Sequence, residues 1–152
     1  MNSERVRPLA LGIFRRDDRI LVFESRKEQT GEIFYRPLGG TIEFGEYGRQ
    51  AQVREMREEL SAEIENLRYR GLCENLLRVP DGRRGHEIVL LFEADLTDET
   101  LYGQDEMVAH EDDGSTFKVV WKPLAFFRRG AAPLYPSGLL EMLDAPNART
   151  TA

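Results

Sequence analysis

Apolar positions fall in short runs separated by charged or glycine-containing breaks. Pro8 to Phe14 and Arg19 to Phe23 are two such runs, and the intervening Arg15-Arg16-Asp17-Asp18 carries the charge and turn-forming aspartates of a hairpin. Thr41 to Phe44 reads as a short extended piece between Gly39-Gly40 and Gly45. Gly48 to Leu60 has no Gly or Pro in its interior and is rich in Arg, Glu, Gln and Met, which predicts a helix. Strand character returns over Ile64 to Leu77, interrupted by Gly71. In Glu87 to Ala94 every position from Ile88 to Phe92 is apolar, the pattern of a strand buried on both faces. A long acidic connection, Asp95 to Thr116, leads to a last strand at Phe117 to Trp121, and Gly138 to Leu143 behind Pro136 reads as a terminal helix. Strands alternating with two helices predict an α/β fold with a mixed β-sheet in layers.

The 152 residues suit one domain, expected over 1–144, with the small, polar, Pro-containing stretch 145–152 expected to fray. Hydrophobic residues at 41% and charged residues at 32% place the chain among soluble globular proteins. Lys and Arg total 21 against 27 Asp and Glu, and the resulting charge of -6 repels phosphate backbones, which argues against a nucleic acid polymer as partner. An anionic substrate therefore needs a local positive group. Eighteen arginines against three lysines favour bidentate phosphate contacts, without locating them. No secretory or membrane-spanning apolar stretch is present, so a cytoplasmic protein with no membrane association is expected. Cys73 stands alone, which excludes an intramolecular disulfide and a cysteine zinc cluster.

On the helix predicted over 48–60, a rotation of 100° per residue places Glu55, Glu58 and Glu59 on one arc and Val53, Met56 and Leu60 on another. Three carboxylates at i, i+3 and i+4 repel one another, and a cation relieves that repulsion. Mg²⁺ takes oxygen ligands and is commonly held by one or two carboxylates together with substrate phosphates, which is what such a face supplies. A solvated face laced by an Arg54–Glu58 pair is the other reading of the same residues.

The surrounding spacing decides between them. Gly40, Glu46, Arg54, Glu55, Met56, Glu58 and Glu59 match G-x5-E-x7-R-E-U-x-E-E-x-G-U, where U is bulky and apolar, and the chain thereby resembles the Nudix hydrolases. Ser61 and Ala62 depart from the last glycine and the last apolar position, which bears on how the helix exits, since serine takes a left-handed conformation only at a cost. Tyr47 stands where many relatives carry Ser or Thr, so a side-chain cap is missing there and Gly48 is left to serve. Phe34 to Gly40, Trp121 to Leu124 and Pro133 to Pro136 look like the flanks of bacterial Nudix domains.

The resemblance implies a Nudix-type α/β/α sandwich and hydrolysis of a pyrophosphate bond in a small-molecule nucleotide, a nucleoside di- or triphosphate or a nucleotide sugar, by metal-activated water. It implies Mg²⁺, with Mn²⁺ as an alternative ion, held by Glu55, Glu58, Glu59 and a backbone carbonyl of Gly39 or Gly40. It implies that Arg54 orients a glutamate, that Glu46 braces the loop, and that a carboxylate of the acidic connection, Glu111 or Glu106, completes the site or acts as base. Tyr35, Arg36, Phe34 and Tyr135 are candidates for stacking on a base or clamping a phosphate, and His86 for a substrate-edge contact. Dimers are common among relatives, so a homodimer fits. Two other classes carry less weight. A catalytically idle nucleotide-binding or regulatory module has little need of a repulsive acid triad. An isoprenoid diphosphate isomerase wants a nucleophilic cysteine near the box, whereas Cys73 lies on a predicted interior strand.

Overall fold

The structure, a computed structural model, describes residues 4–78 and 82–145. Its strands are β1 (Val6–Ile13), β2 (Arg15–Arg16), β3 (Arg19–Arg26), β4 (Ile33–Arg36), β5 (Leu38–Thr41), β6 (Ile64–Arg78), β7 (Arg84–Leu96), β8 (Glu106–His110) and β9 (Thr116–Pro123). The α-helices are α1 (Gly48–Leu60), α2 (Leu124–Arg128) and α3 (Leu139–Asp144), and a 3₁₀ turn spans Glu99–Gly103. The tail beyond 145 and Pro80 lie outside the described residues.

Two sheets form. One has the order β5-β1-β7-β6, with β1 and β7 parallel and the other pairs antiparallel, so it is mixed as expected. The other is antiparallel in the order β2-β3-β9-β8, with β4 sharing the β2 edge of β3. The hairpin expected between Pro8–Phe14 and Arg19–Phe23 is not formed. The turn at Asp17, which takes φ 54°, closes only Arg15–Arg16 onto Arg19–Ile20, while β1 runs into the first sheet. The polar break marked a chain reversal, but β1 pairs with β7 about eighty residues away.

Side-chain alternation along these strands builds the layers. Leu9, Leu11 and Ile13 of β1, Ile20 and Val22 of β3 and Val120 of β9 point to one side, where Leu124, Phe127, Leu139 and Leu143 of α2 and α3 cover them. Phe14, Leu21, Val119 and Trp121 point to the other side and meet Met56 of α1, Ala62, and Met107 and Ala109 of β8. Helices thus flank the strands on both sides, giving an α/β/α sandwich. The acidic connection 95–116 is more ordered than its composition predicts. Met107 and Ala109 alternate with exposed Glu106, Val108 and His110, a two-residue period that makes β8 an edge strand. Strand β7 is buried on both faces only near Leu91 and Phe92, and Ile88 is exposed. Among the described residues no helix is long and apolar enough to cross a membrane.

Candidate active site

Helix α1 begins after Tyr47, whose backbone N–H donates to Gln50 Oε1 at 2.8 Å, so Gln50 supplies the bond that Tyr47's side chain does not. Gly48 is the first helical residue rather than the cap. A Cβ there would stand 2.8 Å from Leu90 Cδ1, which is why the helix start packs tightly on β7. At the exit Ser61 takes the left-handed conformation, φ 52° and ψ 34°, and its N–H donates to Arg57 O, so the turn that a glycine would make is kept. Ala62 is buried beside Met56, filling the motif's apolar position with a smaller group.

The acid face is organised by one guanidinium. Arg54 donates from Nε to Glu46 Oε2 at 2.8 Å and from Nη2 to Glu46 Oε1 at 3.0 Å, a bidentate pair, and Nη2 also reaches the Thr41 carbonyl at 3.0 Å. Its Nη1 donates to Glu55 Oε1 at 3.0 Å and Glu58 Oε2 at 3.2 Å. These contacts, the Glu46 hydrogen bonds foremost, hold Arg54 above its ordinary basicity and Glu46 below its ordinary range. Burial raises Glu55 despite Arg54. Gly40 faces the Glu55 carboxylate so closely that any Cβ would collide with it, and a Cβ on Gly39, at φ 148°, would collide with the Ala10 carbonyl.

Glu59 differs from its neighbours. It is 7% exposed, no guanidinium bonds it, and Oε2 is buried without a hydrogen-bond partner. Burial, followed by the charges of Glu55 and Glu111, pushes its carboxyl up to about 8. Glu111 lies in the β8–β9 turn, where its N–H donates to Ser115 O at 2.9 Å, and burial together with Asp113 raises it too. Glu106, the alternative loop carboxylate, is taken by Lys118 Nζ at 2.9 Å. Among the described residues no three His, Cys, Asp or Glu side chains already converge on one point as a metal-binding group. The donor set nevertheless fits a hard divalent cation. It offers an orphaned buried carboxylate oxygen, further carboxylates acting on it, and no soft ligand.

Beside this face stands Arg36 of β4. Its Nε is buried without a partner, burial lowers its pKa, and it feels Glu87, Glu59 and Glu111. Phe34 and Arg36 line a cavity of about 720 Å³ between the two sheets, and alternation along β4 turns Tyr35 the opposite way. Tyr35 is a core residue. It is 3% exposed, its hydroxyl donates to Glu24 Oε1 at 2.6 Å, and its ring meets Phe126 and Phe127 edge-on. His86 is likewise turned away from the cavity that its strand neighbour Glu87 lines, and pairs with Glu74 Oε1 at 2.9 Å. The sequence reading missed Asn75 and Glu87, buried polar residues on the cavity wall. The signal for Glu87 was a charge directly preceding a five-residue apolar run.

The model of the NUDIX domain matches residues 4–134. No curated protein matches. Among solved structures, the E. coli ORF135 protein is similar at 28% identity and TM-score 0.59, covering 100% of this chain and 98% of that one. A MutT NUDIX hydrolase from Burkholderia pseudomallei is similar at 21% identity, TM-score 0.58, with 80% and 86% covered. A NUDIX hydrolase from Nitrosomonas europaea is similar at 16% identity, TM-score 0.62, with 92% and 87% covered. The last two speak for the fold alone.

Proposed function

The chain belongs to the NUDIX domain family, whose members are pyrophosphohydrolases of nucleoside diphosphate derivatives, and from that premise we propose Mg²⁺-dependent hydrolysis of a nucleoside di- or triphosphate or a nucleotide sugar at the acid face of α1. The observation that carries this reading is a pair of opposite, unpartnered polar groups that act on each other electrostatically. Glu59 presents a buried carboxylate oxygen lacking a partner, and Arg36, which acts electrostatically on Glu59, presents a buried guanidinium nitrogen lacking one as well. Each is costly alone, and a phosphate-bound cation complex satisfies both.

In this reading Glu55, Glu58 and Glu59, with a carbonyl of Gly39 or Gly40, hold the ion. Bound Mg²⁺ supplies neutralisation of phosphate oxygens and a more acidic water at neutral pH. Mn²⁺ suits the same oxygen ligands. Arg54 acts through others: it fixes Glu55 and Glu58 from one side while Glu46 and the Thr41 carbonyl fix Arg54 from the other. Arg36 binds the phosphate on the cavity side. Glu111, in the β8–β9 turn and within electrostatic range of Glu59, accepts the proton of the attacking water.

The test is release of phosphate or pyrophosphate from a nucleotide panel with Mg²⁺, comparing wild type with Glu59→Gln. A fall of two or more orders of magnitude is expected, and equal rates would remove the proposed chemistry.

A further inference from the structure

The inner face of the four-stranded sheet is apolar where Leu9, Leu11 and Val89 line the cavity, with one exception. In the β6–β7 register Asn75 stands opposite Glu87, and each is 4% exposed. Asn75 Nδ2 donates to Glu87 Oε1 at 3.0 Å. Because only the amide's NH₂ can donate to a carboxylate, this bond leaves Asn75 Oδ1 as an acceptor. Glu87 Oε2 receives no hydrogen bond among the described residues; its nearest cation, Arg7 Nη1, lies 3.8 Å away, and Arg36 Nε bonds nothing. At this point the wall carries acceptors, the Glu87 carboxylate and the Asn75 amide oxygen, and the cavity donor on which Glu87 acts is Arg36, the group assigned above to the phosphate.

We propose that the Asn75–Glu87 pair reads the substrate's base and selects bases carrying an exocyclic amine over those carrying a carbonyl in its place. The inference rests on the cavity receiving a nucleotide, as in the function proposed above. Its placement follows from Arg36, which lines the same cavity and acts on Glu59 and Glu111 as well as on Glu87. A phosphate on Arg36 therefore places the nucleoside in the cavity that Asn75 and Glu87 line. Phe34 and Tyr135, edge-to-face at 5.7 Å, supply aromatic wall for a base. At Glu87 a carboxylate only accepts, so an amine N–H is satisfied there, whereas a carbonyl oxygen sets lone pairs against lone pairs.

The test uses nucleoside monophosphates, which contain no phosphoanhydride and so report recognition without turnover. Binding to the full chain is measured by calorimetry for two pairs that differ by amine against carbonyl: dCMP with dUMP, and dAMP with deoxyinosine monophosphate. At least about a tenfold preference for the amine member is expected in one pair, the size usual for one well-formed base contact. Glu87→Gln, which puts a donor where Oε2 was, is expected to erase or reverse it. Equal binding within both pairs by the wild-type chain overturns the proposal whether or not the variant folds, and so does an unchanged preference in a folded variant. Failure of triphosphate turnover with the preference intact counts against the hydrolytic reading and supports this one.

Discussion

Replacing Glu59 by glutamine separates what this residue does for chemistry from what it costs the fold. The carboxyl sits buried with one oxygen unpartnered, and burial with the charges of Glu55 and Glu111 places its pKa at about 8 against an ordinary 4.5. A pKa raised in the folded state favours the protonated form. The penalty is therefore absent below about pH 4.5, grows as pH rises, and is complete above about pH 8. A gap of this size corresponds to several kcal/mol at full ionisation, at roughly 1.4 kcal/mol per pH unit. Glutamine keeps the shape and removes the charge, so a gain of at least about 2 kcal/mol is expected at pH 8.5 without divalent ions, or roughly 4–8 °C in Tm for a chain of this length. At pH 5 the two proteins should melt within about 2 °C. The assay is thermal unfolding of both in chelator at the two pH values, repeated with Mg²⁺, which should raise the wild type and leave the variant unmoved. A variant that is less stable at pH 8.5, or displaced equally at both pH values, would refute the electrostatic reasoning.

Other outcomes follow from single contacts. Arg54→Lys keeps the charge but loses the fork that grips Glu46, Glu55 and Glu58 together, and hydrolysis is expected to fall about 10–100-fold with a raised Mg²⁺ requirement, measured by metal titration of the rate. Tyr35→Phe removes the hydroxyl bond to Glu24 and should cost about 1 kcal/mol in denaturant unfolding while leaving kcat/KM unchanged, since the ring packs in the core. Ser61→Gly relieves a left-handed serine at the end of α1 and should raise stability by about 0.5–1 kcal/mol in the same assay.

The chain announced its chemistry more clearly than its topology. Helix α1 runs over the residues expected, because its propensity, its spacing and the glycines before it agree, and the motif residues Glu46, Glu55 and Glu58 meet at Arg54. The β1–β7 and β6–β7 pairings depend on contacts far apart in sequence, which local patterning does not encode, so nothing local joined Asn75 to Glu87. Two of the substrate candidates, Tyr35 and His86, lie off this cavity for a different reason. Tyr35 and Arg36, like His86 and Glu87, are adjacent on a strand and must point to opposite faces, so only one of each pair can line a given cavity. That exclusion was available from the two-residue period once β4 and β7 were assigned. The strand β8 was hidden because its inward residues, Met107 and Ala109, are few and its outward ones match the acidic connection around them.

The acid face of α1 as a cation site is tested most directly by electron paramagnetic resonance of free Mn²⁺ titrated with the protein at pH 7.5. Wild type should deplete the free-ion signal saturably, Glu55→Gln combined with Glu59→Gln should abolish that depletion, and added Mg²⁺ should restore the signal by competition. Equal depletion by wild type and the double variant, with both folded, would contradict the account.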